Sequence, residues 1–183
     1  YAIAKISGLK LCESMRSQFD FDAISLMPTN LYGPNDNYHP ENSHVIASLI
    51  RKFLTAKANN LSSVTCWGTG KVYREFMHVD DLANAIIFSL KNWNPDYRNS
   101  PKDIYGNSLN HLNVGTGKEI TIKQLAEMIS EITKFDGDII WDESKPDGTP
   151  RKTLDISQIN NLGWNAKIDL PSGLRNTIEN LNK

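Results

Sequence analysis

A chain of 183 residues with a formal net charge of −1 and 39% apolar residues has the composition of a globular protein able to bury a core. Its lysines and arginines are dispersed instead of gathered into a run, so no field is available to hold a polyanion, and nucleic acid is not an expected partner. No apolar stretch approaches the ~18 residues of a membrane helix, and the first residues have neither the basic flank nor the apolar run of a signal peptide. A cytoplasmic protein with no membrane partner is expected. Cys12 and Cys66 stand far apart without CxxC spacing, which suggests neither a disulfide framework nor a zinc site, and both read as small apolar residues.

Residues 1–18 place Ile3, Ile6, Leu9 and Leu11 among Lys5, Lys10, Glu13 and Arg16, the pattern of an amphipathic helix that ends at Phe19–Phe21. Ala23–Met27 is a short apolar run closed by Pro28 and a turn at Gly33 and Pro34, which reads as a buried parallel strand. From His44 to Lys57, Ile46, Leu49, Ile50, Phe53 and Leu54 recur at helical spacing. Two strands, Val64–Trp67 and Glu75–Val79, follow across a glycine turn. Asp80–Leu90 is a helix whose two first-turn acids suit the helix dipole. His111–Val114 is a further strand. Thr121 with Gln124 forms a capping box that opens a helix through Ile122, Leu125, Ile129 and Ile132. Asp138–Trp141 is another strand candidate, KPDGTP is a turn cluster, and helical segments from Ile156 and from Pro171 end the chain. Alternating strands and helices predict an α/β protein with a mostly parallel sheet.

Tyr1 and Lys5 in YAIAK lie one helical turn apart on the same face, and an ammonium beside a phenol favours its ionised form. The spacing alone is weak, and its context must carry it. PTNLYGP, directly after the predicted strand, can present backbone groups and the small polar side chains Thr29 and Asn30 to a ligand at the carboxyl end of a parallel strand; equally, it can be a strand ending in a turn. Two other motifs fail. VGTG at Val114–Gly117 lacks the third glycine and helix start of the dinucleotide fingerprint and reads as a strand-to-loop turn. His78 with Asp80 and Asp81 lacks a second histidine, so no metal is expected.

YAIAK, PTNLYGPNDNYHPENSHVI, WGTGKVYREFMHVDDLA, LNVGTGKEITI and KPDGTPRKTLD occur in this order along nearly the whole chain. In these stretches the chain resembles the GDP-L-fucose synthases, extended members of the short-chain dehydrogenase/reductases. YxxxK and REFMHVDDLA belong to extended members generally, whereas NSHVI and KPDGTPRK are specific to this activity. The resemblance implies the carboxyl-terminal part of a Rossmann-like NADP-binding domain, at 1–33 and 79–114, with a smaller α/β substrate domain at 34–78 and 115–183. It implies an NADP(H) enzyme acting on a GDP-sugar, and a homodimer. Tyr1 matches the catalytic tyrosine that protonates the C4 oxygen, and Lys5 the lysine that holds the nicotinamide ribose and tunes the tyrosine. Pro28, Thr29, Asn30 and Leu31 match the cofactor-contacting loop.

By itself His44 at a helix start reads as a cap or surface residue, though an imidazole can exchange a proton near neutral pH. It matches the family's epimerisation acid, which also lies against the cofactor. Its partner in the family is a cysteine upstream of the tyrosine, a position that neither Cys12 nor Cys66 occupies. Lys52, with Arg51 beside it as the alternative register, falls where bacterial relatives carry arginine. Trp67, Arg74 and Asp147 match substrate contacts, and among the basic residues near Asp147 the contact is Lys152. A diphosphate needs such cations. Two rival readings are a related nucleotide-sugar epimerase or dehydratase of the same superfamily and a non-catalytic nucleotide-binding module. The glycine-rich phosphate loop, catalytic serine and cysteine are expected upstream of Tyr1. These 183 residues alone are therefore expected to bind NADPH more weakly than micromolar and to show no turnover. A fluorescence titration giving micromolar affinity, or any reductase activity, overturns that expectation.

Overall fold

The computed structural model describes residues 1–181. Helix α1 (Ala2–Phe19) ends where Asp20 enters the left-handed region at φ 52°. Its one buried residue is Arg16, whose guanidinium donates to Asp96 at 2.8 Å, Asp22 at 2.9 Å, the Ala23 carbonyl at 3.1 Å and the Asn94 side chain. The helix is therefore gripped at its carboxyl end. The predicted apolar face is not buried: Ile3, Ile6 and Leu11 are exposed.

Strand β1 (Ser25–Pro28) and strand β2 (Asn30–Tyr32) come from one continuous run. The predicted strand is present, but Met27 and Pro28 are exposed, so it is only partly covered in this chain. Helix α2 (Val45–Ala58) is followed by β3 (Ser63–Trp67), β4 (Tyr73–His78) and α3 (Val79–Asn92). Next come β5 (His111–Val114), β6 (Glu119–Thr121), α4 (Ile122–Thr133) and β7 (Asp138–Asp142). A two-residue strand β8 (Arg151–Lys152), helix α5 (Ser157–Asn161) and helix α6 (Leu170–Leu181) complete the order. The α/β class read from the sequence holds. β1 pairs with β5, β2 with β4, β3 with β7 and β8 with β4, all parallel, while β6 runs antiparallel to β4. No described helix is long and apolar enough to cross a membrane.

β4 is the shared strand. Its second half, Phe76–His78, pairs with β2, and its first half, Tyr73–Glu75, pairs with β6, with Tyr73 and Arg74 also opposite β8. The chain changes partner between β1 and β2: the Thr29 N–H still donates to Val114 O at 2.9 Å, and from Asn30 onward the backbone pairs with β4.

Two apolar clusters hold these layers. One joins Ile46, Ile50 and Phe53 of α2 to Leu125 and Ile129 of α4 and Leu174 of α6, with Phe53 edge-on to Phe135 at 5.6 Å. Cys66 is buried here, as expected, whereas Cys12 is only half-buried. The other cluster joins Met77, Ala85, Leu112 and Val114 to Ile159 of α5 and Trp164 beyond it. Each fully buried side chain of this size contributes about 1.5–3 kcal/mol.

Local signals set the helix starts. The capping box forms as predicted: Thr121 Oγ1 accepts from Gln124 N at 3.1 Å while Gln124 Oε1 accepts from Thr121 N at 3.0 Å. His78 caps α3, its Nδ1 accepting from Asp80 N at 3.2 Å. Both acids stand in the first turn of α3, as expected, but in different surroundings. Asp80 is exposed, whereas Asp81 is 1% exposed and accepts the backbone N–H of Lys167 at 3.1 Å and of Ile168 at 2.9 Å. Asp81 thus ties the segment before α6 to α3. Asp81→Ala would strand those two donors, and a loss of about 2–3 kcal/mol of unfolding free energy is expected. Urea denaturation checks this as a lowered midpoint at unchanged slope.

Candidate functional site

The sequence-predicted substrate residues come from three separated segments and meet at one place. Trp67 ends β3, Arg74 lies in β4 and Asp147 sits in the KPDGTP turn; together with Val45, Gly70 and Pro146 they line a cavity of about 170 Å³. Lys52, on α2, approaches the Trp67 ring. Its ammonium donates to Thr65 O at 2.8 Å and stands 5.5 Å from the Trp67 ring centroid. Lys145 approaches the same ring at 5.8 Å. Trp67 is 67% exposed, so an aromatic surface flanked by two ammoniums is open to a ligand.

Lys152 is set beside Arg74 by β-pairing. It is the register partner of Arg74 between β8 and β4, while its neighbour Arg151 is engaged by Glu119 at 2.7 Å. Parallel pairing therefore brings a guanidinium and an ammonium to adjacent strands, an arrangement suited to phosphate oxygens. Nothing in the separation of Arg74 and Lys152 along the chain announces it.

Asp147 holds the two turns of the cavity wall together. Its Oδ1 accepts from Thr69 N and its Oδ2 from Thr69 Oγ1, both at 2.7 Å. The Thr69 hydroxyl, followed by the Thr69 backbone N–H, keeps this carboxyl below the usual carboxylate range. Gly68, at φ 79°, is required: a Cβ there would stand 2.2 Å from Asp147 Oδ1. Behind the wall, burial pushes the Cys66 thiol up, opposed by Lys52, which suits an inert packing residue.

His44 is the N-cap residue of α2 but makes no side-chain cap bond, and its successor Val45 lines the cavity. Its imidazole is exposed and free of the helix. Pro28–Leu31 lie at the β1 to β2 partner change. The Thr29 hydroxyl donates to Glu75 O at 3.1 Å and the Asn30 amide to the same oxygen at 2.8 Å, so these donors hold the segment against β4 beside Arg74. Tyr1 and Lys5 are together, with the ammonium 5.4 Å from the phenol centroid, and both are exposed at the free end of α1. Among the described residues no hydrogen bond or ion pair joins their side chains to the cavity.

A larger cleft of about 700 Å³ lies between β6, α4 and residues 166–171 and contains none of the predicted residues. Its two lysines, Lys118 and Lys167, are set among Glu119, Glu127, Glu131 and Asp169, a poor field for an anionic ligand. No described group of three or more His, Cys, Asp or Glu residues is arranged to hold a metal.

Sequence reasoning missed Glu75, which is 0% exposed. Its Oε1 accepts from Thr116 N at 2.7 Å and Gly117 N at 2.9 Å, and its Oε2 from Leu154 N at 3.0 Å. VGTG, read as a turn, is thus also a pocket of backbone N–H groups already filled by a carboxylate. A charged residue in an otherwise apolar strand stretch was the available signal.

Residues 1–104 match the NAD dependent epimerase/dehydratase family. The chain is 53% identical over 179 residues to the probable GDP-L-fucose synthase 1 of Oryza sativa subsp. japonica, covering 98% of this chain and 51% of that protein. It is 48% identical to the GDP-L-fucose synthase of Escherichia coli K12, covering 98% and 54%. A solved GDP-mannoheptose C4 reductase from Campylobacter jejuni with NADP bound superposes with a TM-score of 0.80 at 30% identity, covering 99% of this chain and 59% of that one. The chain spans about half the length of the curated relatives it matches.

The link between Asp147 and Thr69 has a direct test. Because its folded value is depressed, the Asp147 carboxylate contributes above the usual carboxylate range, and the contribution disappears as pH falls through the folded value. Thr69→Ala removes the larger cause, so Asp147 is expected to titrate at higher pH in the variant. A side-chain carboxyl NMR titration reads the difference; coincident curves would contradict it.

Proposed function

Since the chain belongs to the NAD dependent epimerase/dehydratase family, we propose that it is the carboxyl-terminal portion of a GDP-L-fucose synthase, which epimerises GDP-4-keto-6-deoxy-D-mannose at C3 and C5 and reduces C4 with NADPH. The observation that carries this reading is the convergence of Trp67, Arg74 and Asp147 on one small cavity, with Lys52 over the Trp67 ring, Lys152 opposite Arg74 in the strand register, and the first residue of α2 after His44 in the cavity wall. Residues 1–33 and 79–114 are assigned to the cofactor domain and 34–78 and 115–183 to the substrate domain.

The residues present fit the nicotinamide end of NADP(H). An ammonium beside a phenol on α1 suits a ribose, and in this reading Lys5, Pro28, Thr29, Asn30, Leu31 and His44 are the holding residues. Pyrophosphate finds no place in VGTG, whose donors Glu75 already occupies. When bound, the nicotinamide supplies hydride to C4.

Arg74 and Lys152 neutralise the diphosphate, and Asp147, while bonded to Thr69, keeps lone pairs for a sugar or ribose hydroxyl. The C4 ketone acidifies the C3 and C5 protons; a base on one face removes them and His44 returns a proton from the other. Tyr1 then donates its phenolic proton to the C4 oxygen as the ketone is reduced, with Lys5 beside its ring. The exposed Ile3, Ile6 and Leu11 of α1 favour a second copy of the chain as cover, hence a homodimer, in the cytoplasm.

A second reading, a GDP-sugar C4 reductase without epimerase activity, is favoured by the 30% identical C. jejuni reductase. Solvent deuterium separates the two. In the enzyme made from its complete reading frame, Tyr1→Phe is expected to abolish reduction while the substrate still exchanges C3 and C5 hydrogens. His44→Asn is expected to lose exchange, and Arg74→Ala to raise KM for the GDP-sugar about 10- to 100-fold through lost charge-assisted bonds. Wild-type product with unexchanged C3 and C5 would favour the reductase.

A further inference from the structure

Glu75 touches none of the reacting groups in the reading above, yet it is the most heavily bonded side chain near them. From its backbone, the carbonyl oxygen accepts both Thr29 Oγ1 and Asn30 Nδ2. From its side chain, Oε1 holds the Thr116 and Gly117 N–H groups, and Oε2 holds the Leu154 N–H. The approach is exclusive: a Cβ on Gly115 would stand 2.1 Å from Oε1, so only glycine lets the loop close over the carboxylate. Arg74 precedes Glu75, and Lys152, its register partner, lies two residues before Leu154. One side chain therefore clamps the end of the β8 segment to the strand that carries Arg74.

We propose that Glu75 is a positioning residue for GDP-sugar binding: through Oε2 and the Leu154 N–H it fixes Lys152 opposite Arg74. The inference rests on the reading of Lys152 and Arg74 as diphosphate contacts. The two oxygens separate its effects. In Glu75→Gln, the amide oxygen can keep the Thr116 and Gly117 bonds, while the new NH2 faces the Leu154 N–H, donor against donor. The β8 segment is then released and the VGTG loop retained.

The test uses steady-state kinetics of the enzyme made from its complete reading frame. Glu75→Gln is expected to raise KM for the GDP-sugar about tenfold, with kcat and the NADPH dissociation constant within about twofold of wild type. Glu75→Asp keeps the charge but is one methylene shorter, and a smaller rise of the same kind is expected; it also serves if the Gln variant does not fold. In a Lys152→Ala background, Glu75→Gln is expected to add little further, because both changes remove the same contact. If Lys152→Ala raises KM but Glu75→Gln does not, or if Glu75→Gln lowers kcat and NADPH affinity alike, the positioning role is overturned. If Lys152→Ala itself leaves KM unchanged, the reading of Lys152 as a diphosphate contact fails instead.

Discussion

A carboxylate with no solvent exposure sits at the centre of this structure, and its solvation comes entirely from backbone. Removing an ion from water costs several kcal/mol unless its lone pairs are met, and Glu75 meets three N–H groups from two separate stretches of chain. Those donors would otherwise be orphaned in turns, so acid and loops satisfy each other. Asp81 repeats the solution one turn into α3, accepting from Lys167 and Ile168. Both acids belong to REFMHVDD, and both bind segments more than thirty residues downstream. A strand and helix start that look locally self-sufficient therefore organise the carboxyl-terminal third of the described chain.

The site follows from that arrangement. β4 is paired on one half with β2 and on the other with β6 and β8, so residues on it face two environments along a single strand. Phe76 packs in the α2 cluster and Met77 in the α3 cluster, while Arg74, one step before the buried acid, reaches the cavity. The cavity wall is built from turns, and turns keep a fixed shape only when their polar groups are bonded. Asp147 with Thr69, and Gly68 permitting their approach, provide that rigidity. Cations then come from α2, β4 and the KPDGTP turn, with the ammoniums of Lys52 and Lys145 both over the Trp67 ring.

Periodicity made the long elements legible: the three-and-four spacing of Ile46 to Leu54 and the Thr121 and Gln124 box each correspond to an observed helix. Strands β2, β6 and β8 were not legible, because segments of two or three residues carry no period to read, and their pairing is supplied by β4. The α1 helix shows the converse. Its apolar spacing correctly indicated a helix, but spacing does not say whether a partner is at hand, and Ile3, Ile6 and Leu11 stand exposed. The acids show a related limit: both stand in the first turn of α3 as read, but they share one local context, and only the fold buries Asp81 and leaves Asp80 in water.

The sequence by itself determined the α/β class, the helix starts and the chemical types available to the site, because propensity, capping and side-chain identity are local properties. It also carried motifs, from YAIAK to KPDGTPRK, that resemble those of a known family of nucleotide-sugar enzymes. Tertiary structure alone decided that Lys152 stands opposite Arg74, that Lys145 shares Trp67 with Lys52, and that VGTG encloses a carboxylate. Each of these joins groups far apart in the chain. Such meetings depend on strand register and on where a buried charge finds its donors, and neither is written in the spacing of residues along the chain.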